Sequence, residues 1–123
     1  MTSDGTTTAP VSTPQTARDL DLHPAVLRFC AAARDLFGDR LDRIVLYGSR
    51  ARGDHRPDSD YDIAIFVRDL VNAYTEYMPL AEIAGWALAD DDVEINAWLH
   101  PADAWRTLHS PFLRRFCQDG VEL

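Results

Sequence analysis

The stretch LYGSRARGDHRPDSDYDIAIFV, Leu46 to Val67, decides the fold. An apolar run, Ile44 to Tyr47, breaks at Gly48-Ser49 and gives way to ten residues rich in Arg, Asp and Pro. Asp60 and Asp62 then lead a second apolar run, Ile63 to Val67. The order is strand, phosphate-sized turn, short helix, loop, and a strand that carries paired carboxylates. Side chains alternate along a strand, so Asp60, Asp62, Ala64 and Phe66 share one face and Tyr61, Ile63, Ile65 and Val67 the other.

A glycine after a strand lets backbone approach a phosphate closely, and a serine hydroxyl with the N–H groups of a helix start can hold its oxygens. Two carboxylates on one strand face repel each other unless a cation sits between them. The pair therefore points to Mg²⁺ that also grips a triphosphate. Ser49 is expected to cap a one-turn helix from Arg50 to Gly53, and Asp54 to Ser59 reads as loop.

Outward from this unit, Pro24 to Phe37 has helical spacing, with Val26, Leu27, Cys30, Ala31, Leu36 and Phe37 as its apolar face and Gly38 as its stop. Arg43 to Tyr47 is short, β-branched and apolar on both sides, as in a strand inside a sheet. Residues 71–89 return to helical spacing, with Val71, Tyr74, Met78, Ala81, Ile83, Ala84, Ala87 and Leu88 as the apolar side and Pro79 expected to kink or split the helix. Asp90-Asp91-Asp92 ends it. Val93 to Leu99 alternates as a third strand, Glu94, Asn96 and Trp98 on its polar face. Pro101 to Ala104 reads as a helix start, and Ser110-Pro111 opens a last helix to about Cys117, closed by Gly120. Three strands among helices predict an α/β fold: a small mixed sheet with helices on one face and an open cleft on the other.

The 123 residues suffice for one domain. Residues 1–17 are nearly all Thr, Ser, Pro, Gly and Ala and predict a disordered tail, which leaves residues 18–123 for the folded domain. No apolar run approaches the roughly 20 residues of a membrane span, and the N-terminus lacks a signal-peptide layout, so the expected location is cytoplasmic and off the membrane. Cys30 and Cys117 lie far apart without metal-ligand spacing and read as reduced thiols. The net charge of −8 argues against direct binding of nucleic acid and favours a basic partner surface or a bound metal.

Gly48-Ser49, ten residues, then Asp60-x-Asp62 is similar to the G-S-x10-D-x-D signature of the DNA polymerase β-like nucleotidyltransferase superfamily. The fuller wording GSRARGDHRPDSDYDIAIFV resembles its small stand-alone branch, the minimal nucleotidyltransferases (MNT), over about residues 24–123. The resemblance implies transfer of AMP from ATP, with two Mg²⁺ ions held by Asp60 and Asp62 and the β/γ-phosphates held by Gly48 and Ser49. It also implies a third carboxylate on a neighbouring strand. The shared polar face selects Glu94, with Asp92 as competitor; many relatives carry Asp here, so Glu94 is a departure. Glu94 would bind the catalytic metal and help deprotonate the acceptor.

Arg50 and Arg52 are candidates for the triphosphate charge, and salt links to Asp54, Asp58 or Asp90–Asp92 are their alternative use. His55 and His100 read as surface histidines. Trp86, Trp98 and Trp105 read as core or interface, with Trp98 placed to line the cleft. Relatives that act on small acceptors or tRNA carry extra helical domains, so a large acceptor with its own surface is expected here. By resemblance, that acceptor is a tyrosine of a HEPN-domain ribonuclease toxin, with this chain as antitoxin. Neutralisation by contact without catalysis, and transfer to a small molecule, are the alternative readings.

Overall fold

A computed structural model of the chain describes residues 15–16, 22–104 and 120–123. Five strands form one sheet in the order β1-β5-β2-β3-β4: β1 Gln15–Thr16, β2 Leu41–Tyr47, β3 Tyr61–Val67, β4 Ile95–Pro101 and β5 Val121–Glu122. The sheet is mixed. β2 runs antiparallel to β3 and β5, whereas β3 and β4 are parallel. Three helices accompany it, α1 Pro24–Phe37, α2 Ser49–Arg52 and α3 Ala73–Asp91, and a 3-10 turn, Gly38–Arg40, links α1 to β2. The mixed sheet with helices is the expected architecture. Among the described residues, no helix is long and apolar enough to cross a membrane.

The α1 boundaries match their chemistry. His23 caps the start by accepting from the Ala25 N–H at 3.0 Å, Pro24 occupies the first turn, and Gly38 at φ 55 ends it. Its buried face is Ala25, Val26, Phe29, Cys30, Ala33 and Phe37, while Leu27 and Leu36 are exposed. The expected face was thus rotated: Phe29 and Ala33 replace the two leucines, because α1 is apolar around most of its circumference. Burial pushes the Cys30 thiol up to about 11 against the opposing pull of Arg34, so this cysteine is a packing residue.

β3 presents Tyr61, Ile63, Ile65 and Val67 to the core, with Ile44 and Leu46 of β2 and the buried sides of α1 and α3. That parity agrees with the sequence reading and puts the helices on one sheet face. Asp62 lies on the opposite face, in register with Tyr47 of β2 and Asn96 of β4.

α3 is one helix despite Pro79. The carbonyl that loses its N–H partner belongs to Thr75, and both Thr75 and Pro79 are exposed, so water can serve it. The expected apolar side is corrected here also. Leu80 and Ala87 are buried, Tyr77, Ile83 and Ala84 pack beside them, and Val71, Tyr74, Met78 and Leu88 face solvent. Asn72 caps the helix through the Thr75 N–H, and Glu76 accepts from the N–H groups of Val71 and Asn72 and from Arg40. Gly85 sits inside α3, and apart from the adjoining backbone of its own helix no described atom lies within 4 Å of where a Cβ would stand. Gly85→Ala is therefore expected to stabilise the chain by about 0.5–1 kcal/mol, read as a shift in the urea midpoint.

β4 starts two residues later than the alternation predicted and continues through Pro101. The end of α3 explains the start: Asp92 adopts φ 57, and the N–H groups of Asp92 and Val93 return to the carbonyls of Leu88 and Ala87. Pairing with β3 as far as Val67 carries the strand to Pro101, which is tolerated at the end of an edge strand. Gln15 and Thr16, counted with the tail on composition, pair in parallel with Val121 and Glu122. A backbone ladder needs no apolar side chain, and β5 offers its free edge. The other tail residues, the expected last helix, Trp105 and Cys117 lie outside the described residues.

Candidate active site

The turn after β2 and the start of β3 meet at one point. Gly48 has φ 76 and ψ −157, a conformation that side chains disfavour. A Cβ there would stand 2.5 Å from Oδ2 of Asp62. The glycine is therefore required twice, once for its backbone and once because a carboxylate occupies the space of its side chain. α2 follows directly, with the N–H groups of Ala51 and Arg52 returning to the Gly48 carbonyl at 3.1 Å. Gly48, not Ser49, is the cap, and Ser49 is the first helical residue. The leading N–H groups of a helix have no acceptor within it and can serve an anion.

Asp60 and Asp62 share a face, as the alternation predicted. Asp62 sits between Tyr47 and Asn96, its neighbours on the two flanking strands. Its carboxyl is held above the ordinary carboxylate range, first by burial, then by the charge of Asp60, with a smaller push from Glu94. A hydrogen bond from Asn96 and the charge of Arg52 oppose the shift. The Asn96 amide also donates to Oδ2 of Asp60. Asn96 thus ties the two carboxylates together, a role that sequence reasoning missed; its only signal was its parity with Glu94.

Glu94 immediately precedes β4. Its carbonyl accepts from the Tyr61 N–H at 2.9 Å, and by register it stands beside Asp60 on the carboxylate face. It is exposed, and Asp62 responds to its charge. Asp92 lies further back, in the left-handed cap of α3, and is not among the charges that act on Asp62. Among the described residues, no group of three His, Cys, Asp or Glu is drawn close enough to hold a metal. The structure brings Asp60 and Asp62 together and leaves Glu94 at the rim.

The two arginines part ways: Arg52 makes the expected alternative salt link to Asp54, and Arg50 makes none of the expected salt links. The Arg50 guanidinium donates to the carbonyls of Ser59 and Pro57 at 2.8–3.1 Å and stacks over Tyr61, 4.3 Å from the ring centre. It pins the 54–59 loop, whose carbonyls converge on it. Arg52 bonds Asp54 at 3.2 Å, an exposed pair whose worth is small, and its charge reaches Asp62. Arg52 is accordingly the arginine nearer the carboxylates in effect.

Trp98 lies on the Asp62 face, opposite Ala64, and is 59% exposed. Its ring N–H donates to the Tyr47 hydroxyl, which burial and the charges of Asp62 and Asp60 push up to about 12 against that bond. Tyr47 is thus a neutral wall of the cleft. Beyond it Val45, Ala64 and Phe66 are fully buried, so the open part of this face is its Asp62 end. His100, expected at the surface, stacks on Phe66 with centroids 5.2 Å apart, and burial lowers its pKa. His55 is exposed. A separate hollow of about 630 Å³ lies behind the loop, lined by His23, Arg50, His55, Asp58 and Glu94 among others, and does not include Gly48, Asp60 or Asp62. The carboxylate pair sits instead on the open sheet face.

Oxygen donors alone, with like charges close enough to raise the Asp62 pKa, fit a hard divalent cation such as Mg²⁺. Residues 37–104, which contain the whole turn and carboxylate unit, match the family model "Polymerase beta, Nucleotidyltransferase". The chain is 31% identical over 85 residues to the "Putative protein adenylyltransferase" of Methanocaldococcus jannaschii, covering 69% of this chain and 81% of that protein. Its fold is similar to that in a crystal structure of a toxin-antitoxin with AMP-PNP, at TM-score 0.53 and 18% identity over 77% of this chain and 69% of the other. It is also similar to a mutant MntA-HpeT toxin-antitoxin structure, at TM-score 0.56 and 20% identity over 84% and 72%. Sequence motif, fold and carboxylate geometry agree: the chain belongs to the polymerase beta nucleotidyltransferase family.

Proposed function

We propose that the chain is an Mg²⁺-dependent adenylyltransferase that moves AMP from ATP to a hydroxyl of a protein partner, a tyrosine of a HEPN-domain ribonuclease toxin, and so acts as an antitoxin. The observation that carries this reading is the packing of Gly48 on Asp62, which places a phosphate-sized turn against the carboxylate pair. In the proposed reaction the acceptor oxygen attacks the α-phosphorus in line, a P–O bond to the acceptor forms, and pyrophosphate leaves. Gly48 and Ser49 hold the β/γ-phosphates with backbone N–H groups and hydroxyl. Asp60 and Asp62 would hold the metal, Asn96 fixes the orientation of Asp60, and Glu94 would accept the acceptor's proton. Bound Mg²⁺ would offset charge on the triphosphate and lower the pKa of the acceptor hydroxyl.

The protein acceptor is supported by the relative named for protein adenylylation and by the fold shared with toxin-antitoxin structures. The acidic chain suits a basic, RNA-cutting partner. Incubation with ATP, Mg²⁺ and the protein encoded by the adjacent reading frame, followed by intact mass of that neighbour, tests the reading. The expected result is a mass gain of AMP that disappears in an Asp60→Ala, Asp62→Ala variant. A neighbour left unmodified but inhibited equally by both forms would show neutralisation by contact instead.

A further inference from the structure

α3 carries an apolar stripe that nothing in the described structure covers. Tyr74, Met78, Ala81, Gly85 and Leu88 recur at alternating spacings of four and three, the period of a helix-pairing seam. The stripe spans about 15 residues, roughly 22 Å at 1.5 Å per residue. Tyr74 is 78%, Met78 49% and Leu88 52% exposed. The core is packed by a different face, through Tyr77, Leu80, Ala84 and Ala87.

Gly85 is the second observation. Glycine inside a helix is unfavourable, and among the described residues nothing beyond its own stretch of α3 backbone approaches the place of its Cβ. Its small size, next to Ala81 in the stripe, suits close approach by a helix from outside. The charge around the stripe states what that helix carries. α3 contains Glu76, Glu82, Asp90 and Asp91 and no basic residue. Arg40 partners Glu76 and Arg28 partners Asp91, while Glu82 borders the stripe beside Met78 and Gly85 and Asp90 and Asp92 close its C-terminal end. A second copy would set these carboxylates against their own kind on a chain of net charge −8.

We infer that the exposed stripe of α3 is a docking surface for a helix of the partner protein, one with an apolar seam flanked by Lys and Arg. The inference rests on the proposed protein acceptor and gives the partner a place to bind, on an element separate from the strand that carries the carboxylates.

Calorimetric titration of the full chain with the protein encoded by the adjacent reading frame tests this, at low and high salt. Gly85→Trp and Met78→Glu change exposed positions, and unchanged circular dichroism and melting would show that both variants fold. Each is expected to weaken binding about thirtyfold or more, and added salt to weaken the wild-type complex. Asp60→Ala, Asp62→Ala is expected to bind within about threefold of wild type. Unaltered Kd in both α3 variants overturns the docking surface, and AMP transfer retained by those variants would leave the enzymatic reading standing. Binding lost in the α3 variants with no AMP transfer by wild type would support the surface and sink the transfer. A wild-type dimer that Gly85→Trp dissociates, or a neighbour that does not bind, overturns the inference.

Discussion

Gly48→Ala is expected to lower nucleotidyl transfer about a hundredfold or more and to destabilise the chain by about 1–3 kcal/mol. Two independent effects add. The backbone at φ 76 and ψ −157 is strained for any residue with a side chain, which accounts for the stability loss. The added Cβ also meets Oδ2 of Asp62 at 2.5 Å, and backbone on one side and a flanked strand on the other leave the carboxylate as the group that moves. Displacement of a reacting group by about 1 Å costs on the order of a hundredfold in rate. Steady-state transfer assays with urea titrations would separate the two. A Gly48→Ala protein that is destabilised but transfers at the wild-type rate would show that the contact with Asp62 is incidental.

Asp62→Asn is expected to reduce transfer about a thousandfold while raising the melting temperature of the metal-free protein. Activity falls because the amide cannot offer an anionic oxygen to a cation, a loss of several kcal/mol of charge stabilisation. Stability moves the other way. The folded-state pKa of Asp62 is raised by burial and by Asp60, so its favourable contribution is complete below the unfolded value of about 3.9 and is lost as the pH rises through the folded value. At pH 7 the charged group therefore opposes folding, and its replacement is expected to raise the melting temperature. Added Mg²⁺ should raise the melting temperature of wild type and leave the variant unchanged. The acid limb of wild-type activity should lie above the ordinary Asp range, since a protonated Asp62 holds no cation. A variant less stable than wild type at pH 7 and more stable at pH 4 would reverse the sign of this argument.

The sheet and its polarity were legible in the stretch from Leu46 to Val67 because period-two alternation is unambiguous when both apolar runs are short and bounded. The placement of Asp60 and Asp62 on the face away from Ile63 and Ile65 follows from that alternation alone. α1 was legible in extent from Pro24 and Gly38 but not in orientation, because Leu27 and Leu36 are as apolar as the residues that are buried. α3 failed in the same way and more fully: it has two apolar sides, and only tertiary packing decides that Leu80 and Ala87 face inward while Tyr74 and Met78 do not. In the site, residue type offered Arg50 to a phosphate or to a neighbouring carboxylate, and nothing in the sequence reports that loop carbonyls converge on its guanidinium. Asn96 was legible only as a polar neighbour of Glu94. Its bond to Asp60 depends on the β3-β4 register, which spacing does not give.

The central claim is that the Gly48 turn and the Asp60–Asp62 pair form one nucleotide-binding centre. Calorimetric titration with AMP-PNP, in Mg²⁺ and again in EDTA, on wild type and on Asp60→Ala, Asp62→Ala tests it most directly. Wild type is expected to bind only with Mg²⁺, and the double variant to bind about a hundredfold or more weaker. Equal affinity of the two proteins for AMP-PNP, with or without Mg²⁺, would contradict it.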